Sequence, residues 1–133
     1  MSYPLQLVRN YPLSVLCFLV IWYLSFFMPP KTELDNVAFI DKWVHVIMYG
    51  GTCTVLWIEH LRRHRRAVTP CSWRRLFLLA WLAPILMSGV IELLQAYCTG
   101  GRRSGDWLDL AANATGVTLA AAAGSLLLLR FRR

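Results

Sequence analysis

The chain has 133 residues, of which 57% are hydrophobic and 16% charged, and 14 Lys and Arg against 7 Asp and Glu give it a formal net charge of +7. This length accommodates one domain, and a soluble domain so small could not withdraw that much apolar surface from water. Nucleic acid is set aside as the partner of the positive charge, because the basic residues stand in short runs between long apolar segments, where membrane proteins keep them.

The first apolar segment, 11–28, carries only Ser14, Trp22, Tyr23 and Ser25 as polar side chains. It is long enough to cross a hydrocarbon core of about 30 Å. Pro12 suits a first helical turn. The bulky run Phe26-Phe27-Met28-Pro29-Pro30 offers no small-residue cleavage site, so the segment reads as an uncleaved helix ended by the prolines. After a short polar connector, a second segment, 43–61, is less apolar and holds His45, Tyr49, Gly50, Gly51 and Thr52. Glu59 and His60 at its end read as an interfacial ion pair beside the run Arg62-Arg63-His64-Arg65-Arg66. The third segment, 76–97, contains Pro84, which removes a backbone hydrogen bond and predicts a kink, together with Glu92 and Gln95. The fourth, 107–129, is rich in alanine. Its Ala112, Gly116, Ala120 and Gly124 recur every four residues and form a smooth ridge suited to close helix approach, within the chain or in a homo-oligomer. Cys17, Cys53, Cys71 and Cys98 include no C-x-x-C pair and do not suggest a disulfide framework. The expected fold is all-α: an integral membrane bundle of four transmembrane helices in a single domain, 1–133.

Four crossings put both termini and the second loop on one side. Ten basic residues fall there, against Lys31, Lys42, Arg102 and Arg103 on the other. The positive-inside rule then places both termini in the cytoplasm. The remaining ionisable residues gather toward the opposite face. Asp41, His45 and Tyr49 are spaced i, i+4, i+8, Glu92 and Gln95 i, i+3, and Asp106, Asp109 and Asn113 i, i+3, i+7. Each set lies along one face of its helix. A carboxylate such as Glu92, set inside the bilayer edge, is costly against lipid and should face the bundle and find partners. With Lys42, Arg102 and Arg103 nearby, the three stripes predict an outward-facing polar pocket.

The pattern Asp41-Lys42-x-x-His45-x-x-x-Tyr49, then Glu92-x-x-Gln95, then Arg103-x-x-Asp106-x-x-Asp109-x-x-x-Asn113-x-x-Gly116 resembles the VanZ-like family of membrane proteins. The resemblance spans about three quarters of the chain. It implies a small multi-helix protein of the bacterial inner membrane, and its founding member is associated with resistance to the lipoglycopeptide teicoplanin. The expected role is binding of a lipid-linked or amphiphilic ligand at the outer leaflet, with Lys42 and Arg102 or Arg103 on a phosphate. The alternatives are an enzyme acting on a lipid phosphate, with His45 or Glu92 as general base, and a structural or transporter subunit. A metal held by His45, Glu92 and Asp109 is a weak reading beside clustered His or Cys ligands, so no metal or cofactor is expected. Membrane lipids are the remaining expected partners.

Overall fold

The computed structural model describes residues 2–27, 32–66, 72–101 and 105–131, and every regular element among them is helical. The chain opens with α1 (Tyr3–Asn10) and α2 (Pro12–Phe26). Where the sequence predicts one helix over 11–28, the structure places a separate helix before it, bent by 101° from the next. Pro12 supplies the reason. It lacks the N–H that would continue the ladder, and it pushes Tyr11 out of the helical region, to φ −135° and ψ 56°. α1 buries none of its residues and exposes Tyr3, Leu5 and Val8.

No side chain of Tyr11 caps α2. Its free N-terminal donors are met instead by a carboxylate from another helix. Glu59 accepts from the N–H groups of Leu13 and Ser14, each at 3.0 Å, and from the Ser14 hydroxyl at 2.5 Å. Here the structure departs from the expected ion pair of Glu59 and His60: a helix N-terminus is itself a site for negative charge, and α2 delivers one. Tyr11 reaches the adjacent His60, its hydroxyl 3.1 Å from Nδ1.

After a 3₁₀ turn (Glu33–Asn36), α3 runs from Ile40 to Arg66. Its 27 residues extend about 40 Å at 1.5 Å per residue. It begins three residues before the expected start and carries the whole arginine run 62–66 as helix, because no glycine or proline interrupts 52–66. α4 (Trp73–Phe77), a π-helical turn (Leu78–Leu82) and α5 (Ala83–Cys98) run on as one helix of 26 residues. The kink expected at Pro84 takes the form of that π turn. Proline cannot donate to the carbonyl four residues back, and just before it the ladder slips by one residue, so that the Ala83 N–H donates to the Leu78 carbonyl. The helix ends at Gly100 and Gly101, both left-handed at φ +59° and +82°, where glycine alone is unstrained. α6 (Trp107–Phe131) closes the bundle.

α3 and α6 form the closest pair. Ala112, Gly116, Ala120 and Gly124 are all buried. A Cβ on Gly116 would lie 2.4 Å from the Val46 carbonyl oxygen, and one on Gly124 would lie 2.2 Å from the Trp57 ring. The face the sequence offers to a homo-oligomer is therefore occupied by α3 within the chain. Around this seam sit Ile21, Cys53, Leu61, Leu76, Ala80, Ile91, Val117 and Leu128. Outward, large apolar side chains such as Leu16, Leu19, Ile47, Leu86, Leu119 and Leu126 are more than half exposed, an arrangement that water penalises and lipid does not. Two helices, Trp73–Cys98 and Trp107–Phe131, are long and apolar enough to cross a membrane, and α1 with α2 make a third if that bent pair is one span. α3 is long enough, but its polar residues keep it out of that set.

Candidate functional site

At the end of the bundle where α3 and α6 begin and α5 ends, the three stripes converge. Lys42, in the first turn of α3, extends its ammonium between three carboxylates. It contacts Asp41 Oδ2 at 3.1 Å, Asp106 Oδ2 at 2.7 Å, and Asp109 Oδ1. An ammonium has three donors and no acceptor, so these carboxylates take all that Lys42 offers. The Lys42 ammonium and the N–H of Leu108 hold the Asp106 carboxyl below the usual aspartate range.

One turn along α3, His45 is 9% exposed. Its Nδ1 lies 2.9 Å from Asn113 Oδ1, and Asn113 Nδ2 donates to Ser88 Oγ at 2.7 Å. With the amide in that orientation its oxygen faces the imidazole, and the matching tautomer is the one with its proton on Nδ1. Nε2 then faces Asp41 Oδ1 and Asp109 Oδ2, each at 3.7 Å. Each of these two aspartates thus gives one oxygen to Lys42 and turns the other toward His45. Three ligand-type atoms, one each from Asp41, His45 and Asp109, lie within 4.8 Å of one another.

Glu92 approaches from α5. Gly105 lies so close to α5 that a Cβ there would meet the Glu92 carbonyl oxygen at 2.4 Å. That seat brings the Asp106 N–H onto Glu92 Oε2 at 3.0 Å. Glu92 is 6% exposed, and its other oxygen, Oε1, has no hydrogen-bond partner among the described residues. A buried carboxylate oxygen left so is costly and marks a group awaiting a proton, a cation or a donor.

Of the residues the sequence singles out, Asp41, Lys42, His45, Glu92, Asp106, Asp109 and Asn113 form this cluster. Tyr49 lies one turn deeper and is 1% exposed. Gln95 is not in the cluster: its Nε2 donates to the Ser25 carbonyl at 2.5 Å and ties α5 to α2. Arg102 and Arg103 lie outside the described residues. Two contributors escape sequence reasoning. Ser88 orients Asn113, and its signal is a small hydroxyl one turn before Glu92 on an otherwise apolar face. Gly105, which follows the run Gly100-Gly101-Arg102-Arg103-Ser104, is indistinguishable in sequence from an ordinary loop glycine. The metal-type set also differs from the one weighed on sequence, with Asp41 in the place given to Glu92.

An apolar groove of about 280 Å³ lies toward the opposite end, lined by residues including Trp57, Trp73, Phe77 and Trp81, and offers no comparable chemistry. Compared with protein-family models, curated proteins and solved structures, the chain finds no match.

Proposed function

We propose that this chain is a VanZ-like protein of a bacterial inner membrane, crossing four times with both termini in the cytoplasm. In this reading its outward polar cluster binds the head group of a lipid-linked or amphiphilic envelope ligand. α2, α3, the joined α4–α5 helix and α6 are the four crossings, and α1 lies in the inner interface. The observation that carries the proposal is the convergence of Lys42, His45, Glu92, Asp106, Asp109 and Asn113 at one end of the bundle, with a buried Glu92 oxygen that has no partner among the described residues. A purely structural network would be expected to satisfy that oxygen. Ionisable groups at membrane depth are expensive, and function is the usual reason they persist.

In this reading the contacts of Lys42 assign the ligand's parts differently from the sequence expectation. Lys42 has no donor left for a phosphate. A phosphate therefore falls to Arg102 or Arg103, the basic residues the sequence pattern offers, while Glu92 Oε1 accepts from an amine, amide or hydroxyl of the ligand. The sequence pattern extends the reading to teicoplanin-type resistance. A second reading, an enzyme acting on a lipid phosphate, is favoured by the same Glu92 oxygen, which sits where a general acid or base would.

The test is susceptibility to lipoglycopeptides and membrane lipid composition in cells expressing wild type, Glu92→Gln and His45→Ala at equal membrane levels. The binding role predicts an effect with wild type that both variants lose, without a new lipid species. A modified lipid that appears only with wild type selects the enzyme. Equal phenotypes for all three proteins refute the pocket.

A further inference from the structure

We propose that Asp41, His45 and Asp109 hold a divalent metal cation of the zinc class, with at least one coordination position open toward the outer surface. The inference shares its location with the ligand-binding reading above and deepens it. Metal binding is measured without any lipid, so either can fail alone.

The imidazole comes first. Because Nδ1 is engaged with the Asn113 oxygen at 2.9 Å, Nε2 presents a lone pair. That lone pair faces two carboxylate oxygens at 3.7 Å. Three electron-rich atoms directed at one another repel unless a cation lies between them. A second proton on His45 is the simplest cation, but a charge-assisted N–H···O bond closes to about 2.8 Å. The observed separation is far longer. It lies near the spacing of two ligands around one ion, about 3.4 Å for tetrahedral zinc with bonds of roughly 2.1 Å.

The surroundings agree. A metal-bound histidine donates its other ring N–H to a carbonyl or carboxylate that fixes tautomer and orientation. Asn113 does this here and is itself held by Ser88. Ligating carboxylates are likewise held from behind. Lys42 grips Asp41 Oδ2 and Asp109 Oδ1, the oxygens not facing His45. Ion and ammonium therefore do not compete for one seat. Three carboxylates meet one ammonium at this point, which leaves an excess of two negative charges for a divalent cation to neutralise. Independent of these residues, Glu92 is 6% exposed, lies within electrostatic reach of His45 and Asp109, and has an oxygen without a partner among the described residues. A metal-bound water is a donor of the kind it lacks. Asp41 is the entry side, its side chain 66% exposed.

Three protein ligands with an open position also give the site something Lys42 cannot. The open position accepts an anionic oxygen, such as a phosphate, directly.

The experiment titrates Zn²⁺, and Co²⁺ as its coloured substitute, into the metal-stripped full chain purified in detergent. One equivalent is expected to bind saturably, with no cobalt–thiolate charge-transfer band. His45→Ala and Asp41→Asn each weaken binding at least about 30-fold, and Asn113→Ala about 10–100-fold, the usual cost of losing an orienting partner. His60→Ala leaves binding unchanged. Asp41 is exposed, so its amide variant preserves the fold, which the far-ultraviolet circular dichroism of each variant verifies. The proposal is overturned by absence of saturable binding below about 0.1 mM, by His45→Ala binding as wild type, or by a thiolate spectrum that places the ion on cysteine.

Discussion

Gly116→Ala should be far more damaging than one methyl group suggests. An added Cβ would stand 2.4 Å from the Val46 carbonyl oxygen and 2.9 Å from the Gly50 nitrogen. Both are backbone atoms of α3, so no side chain can swing aside. Restoring an ordinary contact means opening the α3–α6 seam by about 1 Å. His45 adjoins Val46, and Asn113 lies one turn before Gly116, so the 2.9 Å bond between them stretches past the limit of a hydrogen bond. Overpacking costs about 1–3 kcal/mol and the broken buried bond about 1–3 kcal/mol. The better helix propensity of alanine returns about 0.5–1 kcal/mol, for a net loss of roughly 1–5 kcal/mol. Unfolding in mixed detergent micelles by titrated dodecyl sulfate, followed by tryptophan fluorescence, reads this directly. Gly51→Ala is the matched control, because nothing lies within 4 Å of its Cβ, and it should stabilise by about 0.5–1 kcal/mol. If Gly116→Ala and Gly51→Ala behave alike, the seam is not closed at Gly116 and the site loses its foundation.

Glu59→Ala removes the acceptor for two N–H groups and a hydroxyl at the start of α2; a loss of about 1–2 kcal/mol is expected, with faster proteolysis near Tyr11, and unchanged cleavage and stability would show that α2 needs no cap from α3. Gly105→Ala drives a methyl into the Glu92 carbonyl oxygen and should cost about 1–3 kcal/mol while lifting the Asp106 N–H off Glu92; hydrogen exchange at that amide should accelerate, and protection equal to wild type would refute the seating. Cys98 is exposed at the far end of α5, so a membrane-impermeant maleimide should label it in intact cells in a Cys71→Ser background. Labelling only after permeabilisation would reverse the proposed orientation.

The helices were legible because their signals are local and physical. Apolar runs of about twenty residues and the prolines at 12 and 84 sit in the chain itself, and α6 was expected over 107–129 and found as Trp107–Phe131. The i, i+4 spacing of Asp41 and His45 and the i, i+4 spacing of Asp109 and Asn113 were legible as shared faces, because helical period alone decides them. What was not legible depended on partners distant in sequence. Whether Glu59 would pair with His60 or meet the N-terminus of α2 is decided by where α2 lies. Gln95 looked like a companion of Glu92 at i+3, yet the position of the Ser25 carbonyl turned it toward α2. The oxygen that each aspartate gives to Lys42, and the one it turns to His45, follow from helix rotation within a fraction of a turn.

The small-residue ridge and the polar cluster look like separate features in sequence, one of packing and one of chemistry. The structure makes them parts of one seam. Asp109, Asn113 and Gly116 are spaced i, i+4, i+7 on α6, and they face Lys42, His45, Val46 and Gly50 on α3. Only where the glycine removes its side chain can the backbones come close enough for short polar side chains to join across them. The coupling this implies is measurable. In a double-mutant cycle, His45→Ala and Gly116→Ala should each destabilise alone, but the second change should cost less once the first has removed the bond. The interaction energy should fall at roughly 0.5–3 kcal/mol, the range for residues sharing a contact or a helix shift. His45→Ala with Gly124→Ala, two turns deeper against Trp57, should instead add nearly independently. Additivity in the first cycle would separate the ridge from the site, and with it the claim that close packing of α3 on α6 sets the geometry of the cluster.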